Sequence, residues 1–270
     1  MSAPGRGGGL DLLHARVAFR DRSLADVLDL TLRFVVVHGR AYAMVAFGTI
    51  VPLLVASLVA GSVVGWIAAW AVALPLALVG EVPFTVLASR LVFEDHVRTK
   101  DVLAAGLRDL ARVLVVRALA GVLVAAGLST FLVPGVWLAT IFLFLGEVIL
   151  LERASVGQAF GRSMRVAASA VSDVLIGLVV LGLVPVASVF LADIAGRAVL
   201  GELLQFRAPR PLWNTGGGVL PVIGLFVQVP YLATARFFLY LNVRTRAEGW
   251  DIQTRFAALA ARAEEATEAA

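Results

Sequence analysis

The sequence predicts an all-α polytopic membrane bundle of about six transmembrane helices with amphipathic interfacial helices. Three observations carry that prediction. The 270 residues are 60% apolar and 16% charged, with mean hydropathy +0.92, against about 45–50% apolar and about 25% charged in soluble domains. Burying this excess in one water-soluble core would leave too little polar surface to meet water. The apolar residues fall in runs of about 20, the length that crosses about 30 Å of hydrocarbon. The basic residues gather in alternate connections between those runs.

The elements follow in order. Residues 1–22 are Gly-rich at their start and read as a flexible segment. No secretory leader is legible near Met1, because charges recur there without an apolar core. The first span is therefore expected to act as its own insertion signal. In 23–37, Leu24, Val27, Leu28, Thr31, Phe34 and Val35 recur at helical spacing, with Asp26, Asp29 and Arg33 off that face. Ser23 with Asp26 is an N-cap signal, so this is read as an amphipathic helix on the membrane surface. The first span covers 41–60, and Gly61-Ser62 is its expected turn. The second runs 63–93 through Pro75, Gly80, Glu81 and Pro83, long enough to predict a kinked or strongly tilted helix. The third covers 113–132, and Pro134-Gly135 turns the chain into the fourth, 136–151. The fifth is 174–192 and the sixth 219–241, with Pro221 and Pro230 inside it. Residues 23–252 thus form the six-span domain, and 253–270 an amphipathic tail. Gly249 allows the turn into that tail, whose helix would carry Ile252, Phe256 and Leu259.

Twenty of the 23 basic residues lie before the first span, in alternate connections or the span ends beside them (Arg90 and Arg117 among these), or at and after the end of the sixth. The other three, Arg197, Arg207 and Arg210, share one loop. The positive-inside rule then places both termini on the cytoplasmic side of the membrane. Asp26-Val27-Leu28, Asp101-Val102-Leu103 and Gln158-Ala159-Phe160, 75 and 57 residues apart, each open a helix on the basic side. Leu32-Arg33, Leu107-Arg108 and Met164-Arg165 follow at one interval, and a helical hairpin follows each. The chain reads as three units of surface helix plus two spans.

The stretch Tyr240-Leu-Asn-Val-Arg-Thr-Arg-Ala-Glu-Gly-Trp-Asp-Ile252 closes the last span. Further back stand Pro134-Gly135-Val136-Trp137, Leu151-Glu152 and Ala159-Phe160-Gly161-Arg162-Ser163. Together these resemble the tail and middle signatures of a bacterial six-span family named after the membrane domain of glycerophosphoryl diester phosphodiesterases. The resemblance covers most of 23–252. It implies a membrane module that supports a partner or handles lipid, without the soluble barrel in which phosphodiester chemistry resides. Asn242 departs from the pattern, where the family carries an aspartate.

Recognisable chemistry is scarce. There is no cysteine, which excludes disulfides, thiolate metal sites and a cysteine nucleophile. His14, His38 and His96 share no ligand spacing. No zinc-protease helix, nucleophile elbow or phosphate loop is present, and Gly216-Gly217-Gly218 reads as a hinge. No enzyme activity and no cofactor are expected. A sequence pI near 10.3 would suit nucleic acid, but the charges lie between apolar spans rather than in one patch, so no nucleic-acid partner is expected.

The candidate polar site lies inside the spans. Glu81, Arg90, Glu147 and Arg236 interrupt apolar sequence, and an isolated charge at that depth costs about 2.5–3.5 kcal/mol. Glu147 is expected to pair with Arg236 or Arg90. Glu81 has no evident partner, so its protonation stays open. Glu94, Glu152, Asn242, Arg244, Arg246, Glu248 and Asp251 form a candidate interfacial clamp, with arginines that bind lipid phosphate or pair with Glu152 and Glu94. In 193–215, Ile194, Ala198, Val199, Leu203 and Leu204 suit a short interfacial helix, with Phe206 and Trp213 in the aromatic belt. That loop either caps the bundle or meets a periplasmic partner. Two functions fit these residues. One is a non-enzymatic scaffold or accessory subunit engaging a partner protein or anionic lipid headgroups. The other is a small transporter or lipid-handling protein using Glu81, Glu147 and Arg236.

Overall fold

The computed structural model describes residues 22–94 and 97–248, and every regular element among them is helical. α1 (Leu24–Val37) opens on a capping box. The Asp26 amide donates to the Ser23 hydroxyl, and the Ser23 amide donates to the Asp26 carboxylate, satisfying two first-turn donors. Val27, Thr31 and Phe34 are buried, and Phe34 meets Phe238 edge-on with centroids 5.1 Å apart. Leu32, Val36 and Val37 are exposed.

α2 (Gly39–Val63) and α3 (Trp66–Phe93) form the first hairpin. Its turn lies at Val64-Gly65 and not at Gly61-Ser62 as expected. Gly65 has φ +119°, which a side chain disfavours. Gly61 stays helical and serves packing, since a Cβ there would stand 2.8 Å from the Trp66 ring. Gly65→Ala is expected to lower stability by at least about 1 kcal/mol, read as a lower melting temperature in detergent. α3 continues as one helix through Pro75 and Pro83, so the prolines interrupt its hydrogen-bond ladder without ending it.

α4 (Thr99–Thr130) corrects a second expectation. The separate surface helix before the third span is fused with that span into one helix of 32 residues. Nothing from Thr99 to Thr130 breaks it, for there is no proline in the run. The fourth span is two pieces, α5 (Leu132–Ile141) and α6 (Leu145–Glu152). The chain reverses at extended Phe131, so Pro134-Gly135 falls inside α5 rather than in the turn. A first turn has no partner for the missing proline N–H, which is why proline is tolerated there.

α7 (Val156–Ala168) has its own capping box, formed by Ser155 and Gln158. α8 (Val171–Ala198) passes straight into a π-helical turn, Val199–Leu203. The interfacial helix expected from Ile194 is therefore the end of α8. The connection beyond folds over this end of the bundle through α9 (Leu212–Thr215). Buried Asp193 accepts from the Leu212 amide at 3.2 Å, Trp213 lies 5.0 Å from the Arg197 guanidinium, and Trp70 donates to Gly216 O at 2.9 Å. α10 (Val219–Val227) and α11 (Val229–Glu248) complete the sixth span, with Pro221 and Pro230 each in a first turn.

Among the described residues six spans are long and apolar enough to cross a membrane, and they alternate in burial. The first span of each hairpin has 17%, 22% and 17% of its apolar stretch buried; the second has 56%, 50% and 67%. Each hairpin thus places one helix outside and one inside. Phe47, Val122 and Leu183 on the outer helices stay exposed, a surface that hydrocarbon solvates and water does not. The protein is an integral, multi-pass, all-α membrane protein. The three units also share a burial register. Val27, Val102 and Ala159 are buried at one position, and Thr31, Gly106 and Ser163 one turn later, while Leu32, Leu107 and Met164 are exposed.

The beginning and end of the described chain meet on one face. The Arg22 amide donates to Asn242 Oδ1 at 3.1 Å, and Asn242 Nδ2 donates to Arg22 O at 3.0 Å. Of the flexible segment expected over 1–22, only Arg22 lies within the described residues, and it is held. His14, His96, Gly249, Asp251, the tail 253–270 and its helix residues Ile252, Phe256 and Leu259 lie outside them.

Candidate functional site

Each inner span brings one ionisable side chain to the interior: Glu81 from α3, Glu147 from α6 and Arg236 from α11. Arg236 Nη2 lies 2.8 Å from Glu81 Oε2, and its Nε lies 2.5 Å from Glu147 Oε1. A fourth group enters from an outer helix. Arg117 Nη1 of α4 approaches Glu81 Oε2 at 2.9 Å and donates to Leu78 O at 2.8 Å. Side-chain exposure is 4% for Glu81, 0% for Glu147, 14% for Arg117 and 12% for Arg236, so all four sit inside the bundle. Two cations and two carboxylates balance, which removes the penalty an isolated charge would meet. Gly146 makes room, because a Cβ there would stand 3.0 Å from Arg117 Nη2.

The quartet ties α3, α4, α6 and α11 together at one depth. It retains one unused acceptor: Glu147 Oε2 is buried without a hydrogen-bond partner. Chemically the group can hold helix register, and it can take up one further donor at that oxygen.

Of the two partners expected for Glu147, the structure brings Arg236 to it and not Arg90, while the expectation for Glu81 changes. Glu81 has two cationic partners rather than none. Arg90 lies outside the quartet, because nine helical residues carry it about 13 Å beyond Glu81 at about 1.5 Å per residue. Arg117, which the sequence groups with the basic connection before the third span, is the fourth member of the site. Its signal was present, since it interrupts the apolar run 113–132.

The interfacial clamp centres on Glu152 at the end of α6. Arg162 Nε of α7 lies 2.9 Å from Glu152 Oε2, Arg244 Nη1 of α11 lies 3.3 Å from Oε1, and the Tyr240 hydroxyl donates to Oε1. Arg246 pairs with Asp173 of α8 and donates to Arg22 O at 3.1 Å. Asn242 clamps the Arg22 backbone, a task an amide performs with one donor and one acceptor. Glu94 does not join Arg244 or Arg246. It lines a separate cleft with Arg90, Arg108 and Arg153, because the end of α3 faces α4 and α6 there. The Glu248 side chain lies outside the described residues, as does Asp251.

No family model, no curated protein and no solved structure matches the chain.

Proposed function

We propose that the protein is a non-enzymatic scaffold or accessory subunit of a bacterial inner membrane, with both termini cytoplasmic, that engages a partner protein or anionic lipid. The observation that supports this reading is the charge balance of the quartet. The groups that a carrier would load and unload are bound to one another across four helices. The resemblance of the tail and middle signatures to phosphodiesterase membrane domains supports a membrane module of the same kind. The one-sided basic residues support the orientation.

The test is a variant in which Glu81, Arg117, Glu147 and Arg236 are all replaced by methionine. A buried ion network exchanges for apolar side chains of similar volume at little cost, so this variant is expected to fold. It is expected to copurify from native membranes with the same proteins and lipids as the wild type. Loss of that set from a folded variant would count against the scaffold reading. The carrier reading keeps one point in its favour, the unpartnered Glu147 Oε2. It requires a proton or cation flux in reconstituted vesicles that Glu147→Gln abolishes.

A further inference from the structure

We propose that the cleft between the ends of α3, α4 and α6 binds a phosphate group carried by an anionic lipid. This deepens, and rests on, the reading that the protein engages anionic lipid. The cleft has a volume of about 260 Å³ and is lined by Arg90, Arg108 and Arg153 together with apolar side chains that include Val86, Phe93 and Leu150. That is room for a small headgroup rather than a drug-sized ligand. None of the three arginines forms an ion pair among the described residues. Glu94 and Asp109 also line the cleft, but Arg112 lies 3.4 Å from Asp109, so the lining keeps an excess of positive charge. Three arginines lining one cleft beside apolar side chains suit a phosphate at the boundary between headgroup and acyl chain.

The backbone supplies an independent argument. Arg153, the residue that ends α6, is left-handed, with φ 52° and ψ 32°. Helices that stop this way use glycine there, because a Cβ disfavours the conformation. An arginine at this position is unfavourable for the backbone, and its side chain is what the position offers. Arg153 reaches both this cleft and a neighbouring one lined by Arg162 and Arg165. It directly follows Glu152, the hub of the clamp.

Arg153→Gly separates binding from folding, since it relieves the backbone while deleting the ligand-facing group. The full-length protein, in micelles doped with phosphatidylglycerol or phosphatidylcholine, is examined by native mass spectrometry and thermal unfolding. The wild type is expected to retain phosphatidylglycerol preferentially. Arg153→Gly is expected to weaken that preference roughly tenfold while its melting temperature stays level or rises. Arg90→Gln/Arg108→Gln is expected to weaken it similarly. Displacement of the lipid by millimolar inorganic phosphate would support the phosphate site and assign it to soluble esters; no displacement assigns it to lipid. A wild type without preference would sink the anionic-lipid reading as well. A preference unchanged in Arg153→Gly would overturn the cleft alone.

Discussion

Arg236→Met is expected to destabilise the folded bundle by about 3–5 kcal/mol, the cost of leaving buried charge unpaired. Arg236 touches both carboxylates of the quartet. Without it, Glu147 keeps none of its ion pairs among the described residues, and Glu81 keeps Arg117. The interior then carries net negative charge that must be neutralised by protonation or relieved by opening. Unfolding of the reconstituted protein, followed by denaturant titration or steric trapping, measures the loss. Adding Glu147→Met to Arg236→Met is expected to restore a substantial part of the stability. The doubly substituted interior keeps the Glu81–Arg117 pair and no uncompensated carboxylate. Non-additivity of this kind is the signature of a coupled network. Additive losses would mean that Arg236 and Glu147 act independently.

The second large effect concerns a close helix crossing. A Cβ on Gly224 of α10 would stand 2.5 Å from Ser188 O and 2.6 Å from Ala192 Cβ of α8. The first of these is backbone, which cannot rotate away. Gly224→Val is expected to force the two helices apart and to disrupt the hydrogen bond from Ser188 Oγ to Gly224 O, now 2.7 Å. Overpacking of this kind costs about 1–3 kcal/mol, and small residues at such crossings are how membrane helices approach. Gly182→Val is the control, for a Cβ there meets nothing within 4 Å. Equal melting temperatures for the two variants would contradict the packing argument.

Much of this architecture is legible in the residues, because hydrocarbon imposes a length and a polarity on anything that crosses it. The six spans follow from apolar run length, and the α1 cap follows from Ser23 and Asp26. Where several local signals compete, the sequence is less decisive. Gly61-Ser62 and Gly65 both advertise a turn, and only the fold shows that Trp66 packs on one while the other takes positive φ. Pro134 reads as a reversal, yet a first helical turn accommodates it equally well. The interior site was half visible. Glu81, Glu147 and Arg236 stand out as charges in apolar sequence, but which cation meets Glu81 depends on how α4 lies against α3. That arrangement is set by packing such as Gly106 against Pro83, where a Cβ would stand 3.5 Å from the proline Cα. No local pattern encodes it.

The order in which the quartet is synthesised bears on how the protein reaches its final form. Glu81 leaves the ribosome 155 residues ahead of Arg236. The early hairpin therefore enters lipid with an acidic group whose later counter-charges have yet to be translated. Arg117 arrives first and can hold Glu81 provisionally, but Glu147 then waits for the final helix. The charge balance of the interior is complete only once that helix is in place.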